Sequence, residues 1–78
     1  MYKENMQRWV LEAVAKNGGQ ASIIETAKEI WLAYETDLKA SGDHFFTWQY
    51  DMRWAADQLR KTGKLKLSKV GSRSIWRL

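Results

Sequence analysis

Seventy-eight residues and 9.2 kDa make one small domain, with no room for a catalytic domain beside a binding one. Hydrophobic residues make up 45% of the chain and charged ones 28%, with five Trp, three Tyr, two Phe and no Pro, a composition that argues for a packed core and against disorder. Without Cys and with a single His, the chain has no disulfide framework, no thiolate nucleophile and no Cys-based zinc site, so stability must come from packing alone.

In chain order, the first element is a helix from Tyr2 to Asn17, where Met6, Trp9, Val10, Ala13 and Val14 recur at the spacing of a one-sided amphipathic helix. Leu11 falls off that stripe and is expected to be exposed. Asn17-Gly18-Gly19 stops the helix, because Gly supplies the left-handed conformation that helix C-termini favour. Gln20 and Ala21 follow as a short extended link. Ser22-Ile23-Ile24-Glu25 then reads as a capping box that opens a second helix at about Ile23. Its buried stripe is Ile23, Ala27, Ile30, Trp31, Tyr34 and Leu38, opposite a net acidic, solvated face, and Ala40-Ser41-Gly42 ends it.

Asp43 to Phe46 reads as a connection, with Thr47 or a neighbour capping a third helix that runs to about Thr62 and stops at Gly63. The gap from Ser41 to Phe46 is longer than that of a tight helix-turn-helix. Trp48, Met52, Ala55, Ala56 and Leu59 form the buried side of this helix, and Tyr50, Arg53, Trp54, Asp57 and Lys61 the outer side. After Gly63 the period changes to two. Leu65 and Leu67 alternate with Lys64, Lys66 and Ser68, Lys69 to Arg73 have turn composition, and Ile75-Trp76-Arg77-Leu78 alternates again. Trp76 and Leu78 are expected to close the core together.

The charge is unevenly distributed. Residues 1–59 hold six Lys/Arg and all nine acids, a net of −3, whereas residues 60–78 hold seven Lys/Arg and no acid, a net of +7. Such a block attracts a polyanion, most often nucleic acid. The plainer reading of the same block is a basic surface that keeps the protein in solution.

Three helices followed by a basic β-hairpin, the third helix ending in Leu59-x-x-x-Gly63, resemble the winged helix-turn-helix family along essentially the whole chain, residues 1–78. The segment Tyr50 to Leu65 and the ending Ile75-Trp76-Arg77-Leu78 are similar to the N-terminal winged-helix domain of Mrr-type restriction endonucleases. The resemblance implies an α+β fold with a C-terminal hairpin as the wing. It also implies double-stranded DNA as partner, with the third helix in the major groove and the wing on the backbone. In that family the nuclease resides in a separate domain beyond the wing, so cleavage is not carried over.

Placed on this sequence, the resemblance assigns DNA contacts to Thr47, Gln49, Tyr50, Arg53, Trp54, Arg60 and Lys61 of the third helix and to Lys64, Lys66, Lys69, Arg73 and Arg77 of the wing. Arg53 suits bidentate readout of guanine and Gln49 of adenine, although a phosphate contact or a surface role fits either equally well. Arg73, near the hairpin tip, has the reach for a narrow minor groove. Asp57 would repel phosphate and is expected to pair with Arg53 or Arg60. Trp54 reads either as a stacking surface or as an anchor covered by the wing or by a partner subunit.

The enzyme reading fails on chemistry. No Cys or Ser/His/Asp set accompanies His44, Gly63-Lys64 lacks the earlier Gly of a P-loop, and Asp37-Leu38-Lys39 places its charges in different directions on a helix. No cofactor and no metal are expected. The longest apolar run, Ile30 to Tyr34, is far below the roughly 20 residues of a bilayer span, and Met1 to Asn5 open no signal peptide, so no membrane partner is expected and the expected compartment is the cytoplasm. Transcriptional regulation or an accessory DNA-binding role follows from the family. High specificity would need a homodimer or a companion protein. The alternatives are a protein-protein interaction or dimerisation winged-helix module without intrinsic DNA binding, its surface seeded by exposed Trp54, Leu32 and Leu11, and recognition of structured RNA by the wing.

Overall fold

The structure, a computed structural model, describes residues 2–78, with side chains from Asn5 onward; Met1, part of the N-terminal stretch that is expected to open no signal peptide, lies outside the described residues. The elements are α1 (Tyr2–Lys16), β1 (Gln20–Ser22), α2 (Ile23–Lys39), α3 (His44–Lys61), β2 (Lys66–Val70) and β3 (Arg73–Arg77). The three strands form one antiparallel sheet in the order β1-β3-β2. This is an α+β domain in the winged-helix layout, three helices and then a hairpin wing.

The helix ends follow from local chemistry. Gly18 and Gly19 adopt φ of 85° and 90°, and the Gly18 and Gly19 amides donate to the Ala15 and Val14 carbonyls, which closes α1 in a Schellman motif. The same arrangement ends α3: Gly63, at φ 79°, donates to Arg60, and Lys64 donates to Leu59. The capping box at α2 is complete, with Ser22 Oγ accepting from the Glu25 amide at 3.1 Å and the Glu25 carboxylate accepting from the Ser22 amide at 2.8 Å. Thr26 is fully buried on α2, where a hydroxyl is tolerated because it donates to the Ser22 carbonyl at 2.9 Å.

The α1 stripe from Met6 to Val14 is buried, as are Ile30 and Leu38 of α2, the five expected residues of α3, Leu65 and Trp76. Tyr34 has non-helical angles within α2, and at this kink its ring stacks on Trp9 with centroids 4.2 Å apart while its hydroxyl donates to the Glu12 carboxylate. That donation raises the Tyr34 pKa above the ordinary phenol value.

Several expectations are corrected. The third helix begins at His44, not at Thr47, because Phe45 docks its ring near Trp31 and the turn from Ser41 to Asp43 leads directly into the helix through successive amide-carbonyl bonds. The connection between α2 and α3 is therefore residues 40–43, within the length of a tight helix-turn-helix. Gln20 to Ser22 are more than a link, since they pair with Ile75 to Arg77 and make β3 the central strand. The hairpin turn is only Gly71-Ser72, with positive φ at Gly71 alone, as in a type II′ turn, so Lys69, Val70 and Arg73 belong to strands. Leu78 is 52% exposed and does not share the core with Trp76, because it lies past the last paired residue of β3. Leu11 is half-buried and packs against the core.

Candidate nucleic-acid interface

All twelve residues assigned to DNA contact are exposed, but they do not form one surface. On α3 the buried side fixes two outer flanks. Arg53, Asp57 and Arg60 lie on the flank that faces the wing, where they line a cleft of about 200 Å³ with Ile23, Leu67, Ser74 and Trp76. Gln49, on the same flank one turn earlier, borders a groove between α2 and α3. Thr47, Tyr50, Trp54 and Lys61 lie on the other flank, and Lys64 sits in the bend that leads to β2.

Strand register divides the wing cations. Leu67 pairs with Trp76 and Lys69 with Ser74, so Lys69 stands on the α3 side of the sheet beside the cleft. Lys66 pairs with Arg77 and Val70 with Arg73, and these three cations therefore project from the opposite side. There Arg73 and Arg77 border a second depression of about 240 Å³ with Asn17, Gln20, Glu25 and Ile75. Lys66 and Arg77 are like charges directly opposed, an arrangement that disfavours pairing slightly and leaves both available to an anion. Lysines on β2, an edge strand, also discourage pairing with another chain.

Acids modulate both sides. Asp57 pairs with Arg60 at 3.6 Å and Lys61 at 3.4 Å, as helical spacing allows, and not with Arg53, which makes no ion pair among the described residues. These are half-exposed pairs, each worth at most about 1 kcal/mol, so Arg60 and Lys61 are easily drawn to a phosphate. Thr47 donates to the Asp51 carboxylate at 3.0 Å, and His44 Nδ1 lies 3.6 Å from the same group. The Thr47 hydroxyl is thus already engaged within the helix. The Glu25 pKa is lowered, chiefly by the hydrogen bonds it accepts from Ser22, with the field of nearby Arg73 adding to them.

Two features escaped the sequence reading. The first is the α2–α3 groove of about 460 Å³, lined by Ile24, Ala27, Lys28, Trp31, Leu32, Trp48 and Gln49, whose rim residues Ile24 and Leu32 are exposed. The i, i+4, i+8 spacing of Ile24, Lys28 and Leu32 on α2 was the available signal. The second is Phe46, which is 84% exposed at the start of α3. Among the described residues no three His, Cys, Asp or Glu side chains gather as a metal site, and no helix is long and apolar enough to cross a membrane.

Three helices, with a short connection between α2 and α3, and a C-terminal hairpin beside α3 define the class of domain at the level of fold. No family model, curated protein or solved structure matches the chain.

Proposed function

We propose that this domain binds double-stranded DNA, presenting the Gln49–Arg53–Arg60 flank of α3 to the major groove and Lys69 of the wing to the adjoining backbone. The observation that carries this reading is that Arg53 and Arg60 of α3 line the cleft between helix and wing, while strand register puts Lys69 on the side of the sheet that carries Leu67, Ser74 and Trp76 of that cleft. Arg53, without an acidic partner, is the base-reading candidate, and its planar fork suits guanine. Lys69 and Arg60 supply phosphate neutralisation. The similarity of Tyr50 to Leu65 and of the Ile75–Leu78 ending to the Mrr-type N-terminal domain supports the same reading. The module works in the cytoplasm as a transcriptional regulator or accessory DNA-binding protein, with no catalysis of its own.

Titration of a labelled random duplex by fluorescence anisotropy at several salt concentrations tests the proposal. Binding that weakens linearly in log-log form with salt supports it. Absence of binding at low salt overturns it.

One observation favours a second reading, docking to protein: the apolar α2–α3 groove with exposed Ile24 and Leu32 on its rim. Leu32→Glu would then abolish a complex without altering DNA affinity, whereas Lys69→Ala would leave that complex intact.

A further inference from the structure

Phe46, Tyr50 and Trp54 follow one another at i, i+4 and i+8 along α3, and all three are exposed, by 84%, 73% and 39%. They form an aromatic row along the outer side of the helix. Phe46 and Tyr50 have no role in the core, which Trp48, Met52 and Leu59 fill from the opposite side. It is also poorly suited to a major groove, where readout relies on hydrogen-bonding side chains and only thymine offers a methyl group to an apolar one.

Two properties of the row point to flat, negatively charged strands. The first is spacing. Four residues of helix rise roughly 6 Å, and the stacking repeat of bases is about 3.4 Å, so one base inserted between two successive rings needs about twice that repeat, close to the step of the row. Phe46 touches Phe45 edge-on at 5.3 Å, and Tyr50 makes no ring contact among the described residues, so the slot between Phe46 and Tyr50 is not closed by either ring packing on the other. The second is charge. Arg53 projects nearly in line with Phe46, and Lys61, held by Asp57 in an exposed ion pair that a phosphate can replace, lies at the C-terminal end of the row, before a segment that carries only basic charge. Aromatic rings interleaved with cations are the usual means of holding single strands, because every base has a face to stack and every nucleotide a phosphate.

We infer that the Phe46–Tyr50–Trp54 row stacks unpaired bases, so that the preferred ligand is duplex DNA adjoining a single-stranded stretch rather than a blunt duplex. The inference rests on the duplex reading above. The cleft cations hold the paired part, and the row takes the bases that leave it. The row runs obliquely: it starts at Phe46 on the Arg53 side and ends at Trp54 on the side away from Arg60. A strand leaving the cleft therefore crosses the helix toward Trp54.

The test measures anisotropy of three labelled DNAs, a blunt duplex, the same duplex with a six-nucleotide overhang, and the overhang strand alone, with wild type and with Phe46→Ala, Tyr50→Ala and the double variant. Both positions are exposed, so the variants are expected to fold, and circular dichroism melts confirm this. Wild type should bind the overhang duplex about tenfold more tightly than the blunt one, the factor that ~1.4 kcal/mol of base stacking provides. The double variant should reduce that ratio to about one. Equal affinity of wild type for blunt and overhang duplexes overturns the inference and leaves the duplex reading intact. Binding of the single strand that depends on Tyr50, with no binding of the blunt duplex, supports the row and overturns the duplex reading. Should sedimentation show that the row holds copies of the chain together, and the double variant release them without changing the DNA ratio, the row is a protein contact and the inference is wrong.

Discussion

The division of the wing cations between two sides of the sheet makes the salt dependence of DNA binding a quantitative test. If the cleft side binds, the neutralised phosphates are those reached by Arg60 and Lys69, two cations, while Arg53 faces a base. Each contributes about 0.9 to the slope of log affinity against log salt, so the expected slope is roughly −2, and affinity falls about 15-fold between 50 and 200 mM salt. If all eight Lys/Arg from Arg53 to Arg77 bound at once, the slope would approach about −7 and the same change in salt would cost about 10⁴-fold. Anisotropy titrations at five salt concentrations separate these cases easily. Arg53→Ala with Lys69→Ala should bring the slope to about −1. Lys66→Ala with Arg77→Ala should leave it unchanged, because both project from the other side of the sheet. Melting curves for both double variants confirm that the fold is retained. The reasoning is refuted if Lys66 and Arg77 carry the slope and Lys69 does not.

Further outcomes follow from the same geometry. Asp57→Asn removes a negative charge from the cleft and releases Arg60 and Lys61 from their ion pairs, so duplex affinity should rise severalfold at low salt, read by the same titration. Gly63→Ala meets open space, with nothing within 4 Å of the added Cβ, yet must hold φ near 79°. It should cost ~1–2 kcal/mol, and melting temperature should drop by about 4–8 °C for each of these. The folded-state pKa of Glu25 lies below its unfolded value of about 4.3, so its contribution is complete above that value and is lost as pH falls through the folded pKa. Melts from pH 7 to pH 3 should show this acid limb, and Glu25→Gln should flatten it. The Tyr34 pKa is raised, so its contribution is complete below about pH 10 and fades as pH rises through the folded value, an alkaline limb that Tyr34→Phe should remove.

Much of the fold was legible because its signals are local and periodic. The stripes of α1 and α3 and the Ser22–Glu25 box are each readable within four to twelve residues, and the structure places them as read. What was not legible depends on partners distant in sequence. Gln20 to Ser22 are too short to show alternation, and only pairing with Ile75 to Arg77 makes them a strand. Asp43 resembles a cap but makes no side-chain capping bond, and His44 to Phe46 enter the helix because Phe45 finds Trp31 on α2. Reading those residues as a connection hid Phe46 as the first member of the aromatic row. The division of the basic residues was within reach of the sequence: Lys69 shares parity with Leu67, and Arg73 and Arg77 share it with Ile75. Treating the positive block as one surface overlooked that alternation.

The most direct test of the central claim is an amide chemical-shift titration of the isotopically labelled protein with a short duplex at low salt. The account predicts that the largest shifts fall on residues 49–60 of α3 and on Lys69 and Ser74, the two sides of the cleft. Shifts confined to Lys66, Arg73 and Arg77 would contradict that placement, and no shifts at all would contradict DNA binding itself.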